Sequence, residues 1–406
     1  MTPQTREKIK VLLLENIHPL ARQIFEAEGC EVETTVGALT PEQLISKIPG
    51  FHILGIRSKT TITAEVFAAA ESLVTLGAFC IGTNHIDLKA ARKHGIPVFN
   101  APFGNTRSVA EMAVAEIIML SRKLGDRNNE VHQGIWTKSH EGCYEVRGKT
   151  VGIVGYGNIG TQVSTLAEAL GMRVLFYDIV PKLPRGNAKG CATLNHVLKE
   201  SDFVSLHVPA TPLTHEMIST EQFQVMKPGS YLLNAARGSV VDIPALIEAL
   251  KKGPLAGAAI DVFPSEPEIN TKDFHTELQR LPNVILTPHV GGATEEAQTN
   301  IGEEVPTALV RHLLTGSTVR SVNFPEMDVA PTENTHRILN VHRNVPGVLR
   351  EINRIVSDLG ANIEAQHLAT DPELGYLVLD INREISNDVK LAIEKLKTSV
   401  KTRILY

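Results

Sequence analysis

One glycine-rich segment limits the possible folds of this chain more than any other feature. Gly155, Gly157 and Gly160 form a G-x-G-x-x-G pattern that directly follows the apolar run Thr150–Val154. The residues after the glycines carry apolar side chains at helical spacing, and this pattern ends at Gly171. A strand, a glycine turn and a helix in this order let backbone N–H groups at the helix N-terminus approach a pyrophosphate. The segment therefore predicts a dinucleotide-binding α/β domain.

An acidic residue beyond this loop indicates which dinucleotide is bound. Asp178 stands 23 residues after Gly155, at the end of the next predicted strand. A carboxylate at this place accepts hydrogen bonds from an adenosine ribose and repels a 2′-phosphate. We therefore predict that the cofactor is NAD.

The glycine loop belongs to a long stretch in which strand and helix patterns alternate. Such alternation is typical of a doubly wound parallel sheet. The predicted strands of this block are Thr150–Val154, Val174–Tyr177, Phe203–Leu206, Tyr231–Leu233, Ala256–Ile260 and Val284–Leu286. We therefore predict a Rossmann-type sheet for this part of the chain.

The first hundred residues show the same alternation and predict a second α/β block. Its predicted strands are Lys10–Leu14, Glu31–Thr34, Ile53–Ile56 and Val98–Asn100, and its predicted helices are Pro19–Glu28, Pro41–Lys47 and Ala64–Ala70. Apolar residues at helical spacing then predict one long helix from about Asn105 to Leu124.

A third pattern follows Asn323–Thr335, a proline-containing stretch that we interpret as a loose linker. Its predicted elements are strand Arg337–His342, helix Gly347–Leu359, strand Ala361–Leu368, strand Gly375–Ile381, helix Asn387–Leu396 and strand Lys401–Leu405. This βαββαβ order predicts a ferredoxin-like domain of about 70 residues.

Composition disfavours several classes of protein. The chain has 406 residues with 40 Lys+Arg against 45 Asp+Glu, and this balance argues against a nucleic-acid partner. The start of the chain is polar, and no apolar run approaches the roughly 18 residues of a membrane span. The four cysteines lie far apart and the 15 histidines lack H-x-x-x-H spacing, so we expect a cytoplasmic protein without a metal site.

Polar residues follow successive predicted strands of the cofactor block. Ligands of an open parallel sheet bind beyond the carboxyl ends of its strands, and the sequence places His207, Arg237, Asp261 and His289 there. A guanidinium can bind a carboxylate in bidentate fashion, and an imidazole that titrates near neutrality can transfer a proton. These side chains beside a dinucleotide loop predict an active site.

Together these residues resemble the D-isomer-specific 2-hydroxyacid dehydrogenases. The motifs that carry the resemblance are Val151–Gly160, Met226–Gly229, Asn234–Gly238, Asp261–Phe263, Glu266-Pro267 and Pro288-His289. Within the family, Gly55–Ser58, Gly82–Asn84, Asn100–Glu111 and the C-terminal module are similar to members that oxidise D-3-phosphoglycerate in the first step of L-serine biosynthesis. Reduction of 2-oxoglutarate to 2-hydroxyglutarate is a further expected activity.

The resemblance implies roles for individual residues. Arg237 would hold the substrate carboxylate, His289 would take the hydroxyl proton, and Glu266 would orient and charge that imidazole. The substrate would also contact Arg57, Ser58, Asn105 and Lys138. The cofactor would contact Gly155, Gly157, Asn158, Ile159, Gly160, Asp178, His207, Ala235, Ala236, Arg237, Asp261, His289, Gly291 and Gly292. Trp136 and Lys138 match a region that makes a subunit contact in the family.

The C-terminal module resembles an ACT domain, the small-molecule sensor of amino-acid pathway enzymes. His342 and Asn344 match its effector loop, and Asn362 matches the partner position. The implied effector is L-serine, bound between paired domains of a homotetramer. A ferredoxin-like module used only for assembly is the alternative.

The resemblance also implies how the chain is divided. A substrate-binding domain of flavodoxin-like fold, residues 1–104 and 292–326, would be interrupted by the Rossmann domain at 105–291, with the ACT domain at 334–406. Two other functions stay open at this point. One is a dehydrogenase for another D-2-hydroxy acid, such as 2-hydroxyglutarate or glycerate, and the other is an NAD-sensing interaction protein without catalysis.

Overall fold

The computed structural model describes residues 8–267 and 271–406, which form two compact units. The first unit comprises the residues up to Pro102 together with Thr299–Tyr406, and the second comprises Phe103–Gln298. The predicted start of the first domain at residue 1 lies outside the described residues. None of the described helices is both long and apolar enough to cross a membrane.

The N-terminal part of the first unit is a parallel five-stranded sheet in the order β2-β1-β3-β4-β5. Its strands are β1 Lys10–Leu13, β2 Glu31–Thr34, β3 Ile53–Ile56, β4 Thr75–Ala78 and β5 Val98–Phe99. Its helices are α1 Pro19–Ala27, α2 Pro41–Lys47, α3 Ala64–Ala69 and α4 Leu88–Lys93. Alternate residues of β1 pack into different clusters, with Leu12 on one face and Val11 on the other, because side chains alternate along a strand. The strand order β2-β1-β3-β4-β5 confirms the predicted flavodoxin-like fold of this sheet.

The second unit is built on a parallel seven-stranded sheet in the order β12-β11-β10-β9-β6-β7-β8. Its strands are β6 Thr150–Val154, β7 Arg173–Tyr177, β8 Lys189–Gly190, β9 Phe203–Leu206, β10 Ser230–Asn234, β11 Leu255–Ile260 and β12 Val284–Leu286. Its helices are α5 Thr106–Arg122, α6 Leu124–His132, α7 Asn158–Ala169, α8 Leu194–Glu200, α9 Thr220–Val225 and α10 Ile243–Lys251. The sheet reverses its order beside β6, which confirms the predicted Rossmann topology and places the glycine loop at the switch point.

The long helix predicted from about Asn105 to Leu124 is confirmed as α5, Thr106–Arg122, and a second helix, α6, follows it directly. Lys123 has a φ of 52°, a left-handed conformation that ends α5 and starts α6. The apolar spacing that predicts one helix belongs to α5, whereas α6 is polar and has no buried residue. A further helix, α11, covers Glu295–Thr315.

The C-terminal module is an antiparallel four-stranded sheet in the order β14-β15-β13-β16. Its elements are β13 Thr335–Arg343, α12 Val348–Asp358, β14 Ile363–Thr370, β15 Leu374–Asn382, α13 Ser386–Glu394 and β16 Ser399–Leu405. Apolar residues of both helices and one sheet face form a common core. The predicted βαββαβ order is confirmed.

The stretch before this module is not the loose linker that we expected. The side chain of Asn323 accepts a hydrogen bond from the Val98 backbone at 2.8 Å and donates one to the Ile96 carbonyl at 3.0 Å. The guanidinium of Arg337 makes two bonds of 2.7 Å to Asp380 and donates to the carbonyls of linker residues Val329 and Ala330. Buried side chains therefore tie both ends of the stretch to folded structure.

Candidate active site

Close packing requires two of the three glycines in the loop between β6 and α7, and the third lies at an open position. Gly155 has a φ of 93°, and a Cβ there would lie 2.5 Å from the His207 carbonyl oxygen. A Cβ on Gly160 would overlap the Gly155 carbonyl oxygen, so its absence lets α7 pack closely. A Cβ on Gly157 would meet nothing within 4 Å, although Gly157 caps the N-terminus of α7. The space beside Gly157 is therefore open next to the free N–H groups at the N-terminus of α7. A pyrophosphate can accept hydrogen bonds from such groups.

The carboxylate of Asp178 is fixed beside this loop by two backbone amides. One oxygen accepts a hydrogen bond from the N–H of Tyr156 at 2.9 Å, and the other accepts one from Val180 at 2.9 Å. Each oxygen keeps a lone pair for another donor. Asp178 and the glycine loop therefore fit the ribose and the pyrophosphate of a dinucleotide.

His289 and Glu266 form a hydrogen-bonded pair beyond the ends of β11 and β12. The His289 Nδ1 atom lies 2.7 Å from Glu266 Oε2, and the other carboxylate oxygen accepts a bond from the Phe263 amide at 3.0 Å. His289 has a φ of 55°, which is uncommon for a residue with a Cβ, and its backbone N–H donates to the Asp261 carbonyl at 2.8 Å. The backbone is thus held in a strained conformation at the imidazole.

The pKa shifts of His289 and Glu266 both favour the charged forms of these side chains. The hydrogen bond to Glu266 raises the pKa of His289 above its usual value, and the charges of Glu266 and Asp261 act in the same direction against burial and Arg237. Burial raises the pKa of Glu266, but the bonds from His289 and the Phe263 amide and the nearby positive charges lower it overall. The pair therefore favours an imidazolium next to a carboxylate.

Arg237 follows β10 in a loop that lies directly against the loop of Glu266. The next residue, Gly238, is buried, and a Cβ on it would overlap the backbone of Phe263. Arg237 donates to the Ala236 carbonyl at 2.6 Å, and its charge acts on both Glu266 and His289. The structure thus brings the three predicted catalytic residues together in one unit.

Asp261 is a buried anchor of the same loops. It is 1 % exposed, and its carboxylate accepts bonds from the Thr287 hydroxyl at 2.6 Å and from the amides of Val290 and Gly291 at 2.8 and 2.9 Å. The segment after His289 is therefore fixed to the end of β11.

Sequence reasoning missed Glu116, a carboxylate inside α5 that is 4 % exposed. Burial raises the pKa of Glu116 to about 8, and the charge of Asp261 adds to the rise, so this carboxyl keeps its proton at neutral pH. Its Oε1 atom has no hydrogen-bond partner among the described residues. The signal was present in the sequence as one acidic residue among the apolar positions of a helix, Ala113, Ile117 and Leu120.

Other predicted cofactor residues also lie at the carboxyl ends of the strands. His207 follows β9, its Nε2 lies 2.8 Å from the Ser205 hydroxyl, and burial lowers its pKa to about 4, so its ring is neutral. Ala235 and Ala236 follow β10, and a Cβ on Gly292 would overlap Asn105 at the start of α5. Asn158 and Ile159 form the first turn of α7, next to Gly157.

Some predicted substrate residues are not part of this cluster. Arg57 and Ser58 follow β3 in the first unit, whereas the cluster belongs to the second. Lys138 lies in the exposed segment after α6, and Trp136 in the same segment is 83 % exposed. Because most of its side chain is exposed, Trp136 does not pack into the core of this chain.

The predicted effector residues do not converge within one chain. His342 pairs with Gly375 across β13 and β15, while the Asn362 amide donates to Asn382, which pairs with Thr335 at the opposite end of β13. His342 and Thr335 are separated along β13 by roughly 20 Å at the usual rise per residue of a strand. His342 is 2 % exposed and lies 3.0 Å from Asn340 Oδ1, and the side chain of Asn344 donates to the Asp371 carbonyl at 2.6 Å.

Two family models match the chain. Residues 114–291 match the D-isomer specific 2-hydroxyacid dehydrogenase, NAD binding domain, and residues 338–401 match the AHAS small subunit-like ACT domain. Among solved structures, D-2-hydroxyisocaproate dehydrogenase is 27% identical with a TM-score of 0.69 over 78% of this chain and 100% of that chain. D-lactate dehydrogenase from Aquifex aeolicus, solved with NAD and lactic acid, is 29% identical with a TM-score of 0.67 over the same shares.

Curated relatives match along the whole chain. The D-3-phosphoglycerate dehydrogenase of Dictyostelium discoideum is 52% identical over 100% of both chains. That of Escherichia coli K12 is 48% identical over 99% of this chain and 98% of the relative, and D-3-phosphoglycerate dehydrogenase 1 of Saccharomyces cerevisiae is 50% identical over 100% and 89%.

The chain therefore belongs to the D-isomer-specific 2-hydroxyacid dehydrogenase family, and it is an NAD-dependent dehydrogenase with a C-terminal ACT domain. Within that family its full-length similarity is to D-3-phosphoglycerate dehydrogenases. The resemblance inferred from the sequence motifs is confirmed.

Proposed function

We propose that this chain oxidises D-3-phosphoglycerate to 3-phosphohydroxypyruvate with NAD, in the first step of L-serine biosynthesis. The observation that carries the chemistry is the 2.7 Å pairing of His289 with Glu266, in loops next to Arg237. The choice of substrate is supported by relatives at about half identity along the full chain that are named for it.

His289 is the proposed base for the substrate hydroxyl. Its Nδ1 atom is engaged by Glu266, so the Nε2 atom is the one that can take the proton. Bound NAD would accept the hydride that leaves the substrate carbon bearing this hydroxyl. Glu266 holds the ring in one orientation and stabilises the imidazolium that forms, as the raised pKa of His289 indicates.

Arg237 is the proposed ligand of the substrate carboxylate. A guanidinium presents paired donors that match a carboxylate, and its charge polarises the neighbouring carbonyl in the reverse reaction. Asn105 in the second unit, Lys138 in the exposed segment, and Arg57 and Ser58 in the first unit are proposed as further substrate ligands.

The proposed NAD ligands are the residues at the strand ends of the second unit. Gly155, Gly157, Asn158, Ile159 and Gly160 would hold the pyrophosphate, and Asp178 would hold the ribose. His207, Ala235, Ala236, Arg237, Asp261, His289, Gly291 and Gly292 would line the rest of the site. We propose the domain bounds 1–104 with 292–326, 105–291, and 334–406 for the substrate, NAD and ACT domains.

L-serine is the proposed effector, and the geometry of the ACT module supports a site shared by two chains. His342 and Asn362 lie at opposite ends of one sheet, so a ligand that contacts both needs a second copy. The edge strand β14 pairs only with β15 among the described strands, which leaves backbone groups for a neighbour. We propose a homotetramer with paired ACT domains. A cytoplasmic location is proposed from the four free cysteines, Cys30, Cys80, Cys143 and Cys191.

The activity is tested by following NADH formation from D-3-phosphoglycerate, D-glycerate and D-2-hydroxyglutarate. We expect the highest kcat/KM with D-3-phosphoglycerate, and inhibition when L-serine is added. Equal kcat/KM values for the phosphorylated and unphosphorylated acids would contradict the proposed substrate.

The shared effector site is tested by mixing two variants. His342→Ala and Asn362→Ala chains should each lose serine inhibition, whereas a refolded mixture should regain part of it because half of the sites of a mixed pair are intact. A mixture that stays insensitive to serine while each variant keeps normal turnover would contradict a site built from two chains.

A further inference from the structure

Glu15 is a buried carboxylate at the carboxyl end of the first strand of the five-stranded sheet. It lies just after β1, is 7 % exposed, and has a φ of 63°. Glutamate is among the residues that are rarely buried without partners, and a residue with a Cβ rarely adopts this backbone conformation. Two unfavourable features at one residue indicate that its side chain has a specific task.

The partners of this carboxylate are three backbone amides of a single loop. Glu15 Oε1 accepts hydrogen bonds from Arg57 at 3.2 Å and Thr60 at 2.9 Å, and Oε2 accepts one from Lys59 at 3.0 Å. The loop follows β3 and turns around the carboxylate. Bonds from N–H groups to an ionised acceptor are stronger than bonds between neutral groups, so the loop backbone is held firmly.

Three of the four side chains in this loop are accessible to solvent, whereas three of its amides bind the buried carboxylate of Glu15. Ser58 and Lys59 are exposed, Arg57 is half-buried, and Thr60 is fully buried. The carbonyl of Arg57 also accepts a weak bond from the Cys80 thiol at 3.7 Å. The carboxylate of Glu15 thus fixes the backbone from inside while Arg57, Ser58 and Lys59 stay available to a ligand.

We infer that Glu15 is a positioning residue for recognition of the anionic end of the substrate. It does not touch the substrate, but it sets where the Arg57 and Ser58 side chains lie by holding their loop at three amides. This inference rests on the proposed function, in which that loop binds a phosphorylated acid. Preorganised donors bind an anion more tightly because no ordering of the loop is needed on binding.

The sign of the effect separates positioning from simple electrostatics. A negative charge near an anionic substrate repels it, so neutralising Glu15 would by charge alone lower the KM for D-3-phosphoglycerate. Loss of positioning raises that KM instead. The Glu15→Gln variant removes the charge and presents an N–H group to one of the three amides, while it keeps the size of the side chain.

The test measures KM for D-3-phosphoglycerate and for NAD in the wild type, Glu15→Gln and Glu15→Ala. We expect the KM for D-3-phosphoglycerate to rise about 5-fold in Glu15→Gln and about 10-fold or more in Glu15→Ala, because each lost interaction of ordinary strength changes affinity by up to about tenfold. The KM for NAD should stay within about twofold. Glu31→Gln, an exposed position on β2, is the matched control and should leave both constants unchanged.

Folding is checked separately, by circular dichroism and by hydrogen exchange of the segment 57–60, which should exchange faster in Glu15→Gln. A folded Glu15→Gln with an unchanged or lower KM for D-3-phosphoglycerate overturns the inference, as does an equal rise of both KM values. A wild type that does not oxidise D-3-phosphoglycerate overturns the proposed function and this inference together, so the two failures are distinguishable.

Discussion

Glu266 Oε2 lies 2.7 Å from Nδ1 of His289, although the two residues follow different strands of the seven-stranded sheet. The parallel strands β11 and β12 pair directly, so their carboxyl ends deliver both loops to the same edge. The pair leaves the Nε2 atom of His289 for a substrate proton. Its pKa shifts make the imidazole a stronger base than a free histidine.

Replacing Glu266 by Gln should lower the pKa of His289, since its largest cause of elevation is the bond to that carboxylate. Oxidation needs a neutral His289, so the acidic limb of kcat/KM against pH should move to lower pH. The rate at the plateau should fall by about 10-fold or more because the ring is less well oriented and the imidazolium less stable. The exposed variant Glu248→Gln is the control, and an unshifted acidic limb would contradict the role of Glu266.

Gly238→Ala should damage catalysis without touching a catalytic side chain. The new methyl group would overlap the backbone of Phe263, whose amide holds Glu266. A displacement of that loop by about 1 Å can cost on the order of 100-fold in rate. The control is Gly125→Ala, where a Cβ meets nothing within 4 Å. Steady-state kcat measures both variants, and equal values for the two would show that the close approach is unimportant.

Asp178→Asn should weaken discrimination between NAD and NADP. The variant keeps the shape of the side chain but loses the charge that repels a 2′-phosphate, so NADP should bind better and NAD about several-fold worse. Fluorescence titration with both reduced cofactors measures the ratio of dissociation constants. The exposed Asp273→Asn variant should keep the wild-type ratio, and an unchanged ratio in Asp178→Asn would disprove the assignment.

Glu116→Gln should remove a pH dependence of stability. Burial raises the pKa of Glu116 to about 8, so the folded protein holds a proton that the unfolded chain releases near its ordinary value of 4.5. The free energy of unfolding of the wild type should therefore fall as the pH rises between these values, by about 2–5 kcal/mol in total. Denaturant unfolding at several pH values measures this. A slope that is the same in wild type and variant would contradict a protonated Glu116.

The sequence predicted the bounds of strands well where the strand is buried along its whole length. Thr150–Val154, Phe203–Leu206 and Ile53–Ile56 have the predicted bounds, because a fully buried parallel strand is a nearly continuous apolar run. The short strand β8 was missed since a Lys-Gly pair has no periodicity. β4, with the sequence TLGA, was missed because one glycine and one alanine weaken its apolar signal.

The site was predicted only where a motif marked it. The glycine loop, Asp178 and the polar residues after the strands were visible because the sheet topology sends them to one edge. The burial of Glu116 was visible in its position among the apolar residues of a helix, but the task of Glu15 could not be inferred, since burial of this carboxylate depends on packing between segments far apart in sequence. Glu15 binds amides more than 40 residues away, as its partner Arg57 is separated from it by 42 positions.

The most direct test of the account is the turnover of His289→Ala compared with its affinity for NADH. We expect NADH formation from D-3-phosphoglycerate to fall by about 100- to 10,000-fold, the usual contribution of a positioned base. The dissociation constant for NADH should rise by no more than about tenfold, since His289 is only one of many proposed cofactor contacts. A variant that keeps full turnover would contradict the assignment of His289, and with it the roles of Glu266 and Arg237.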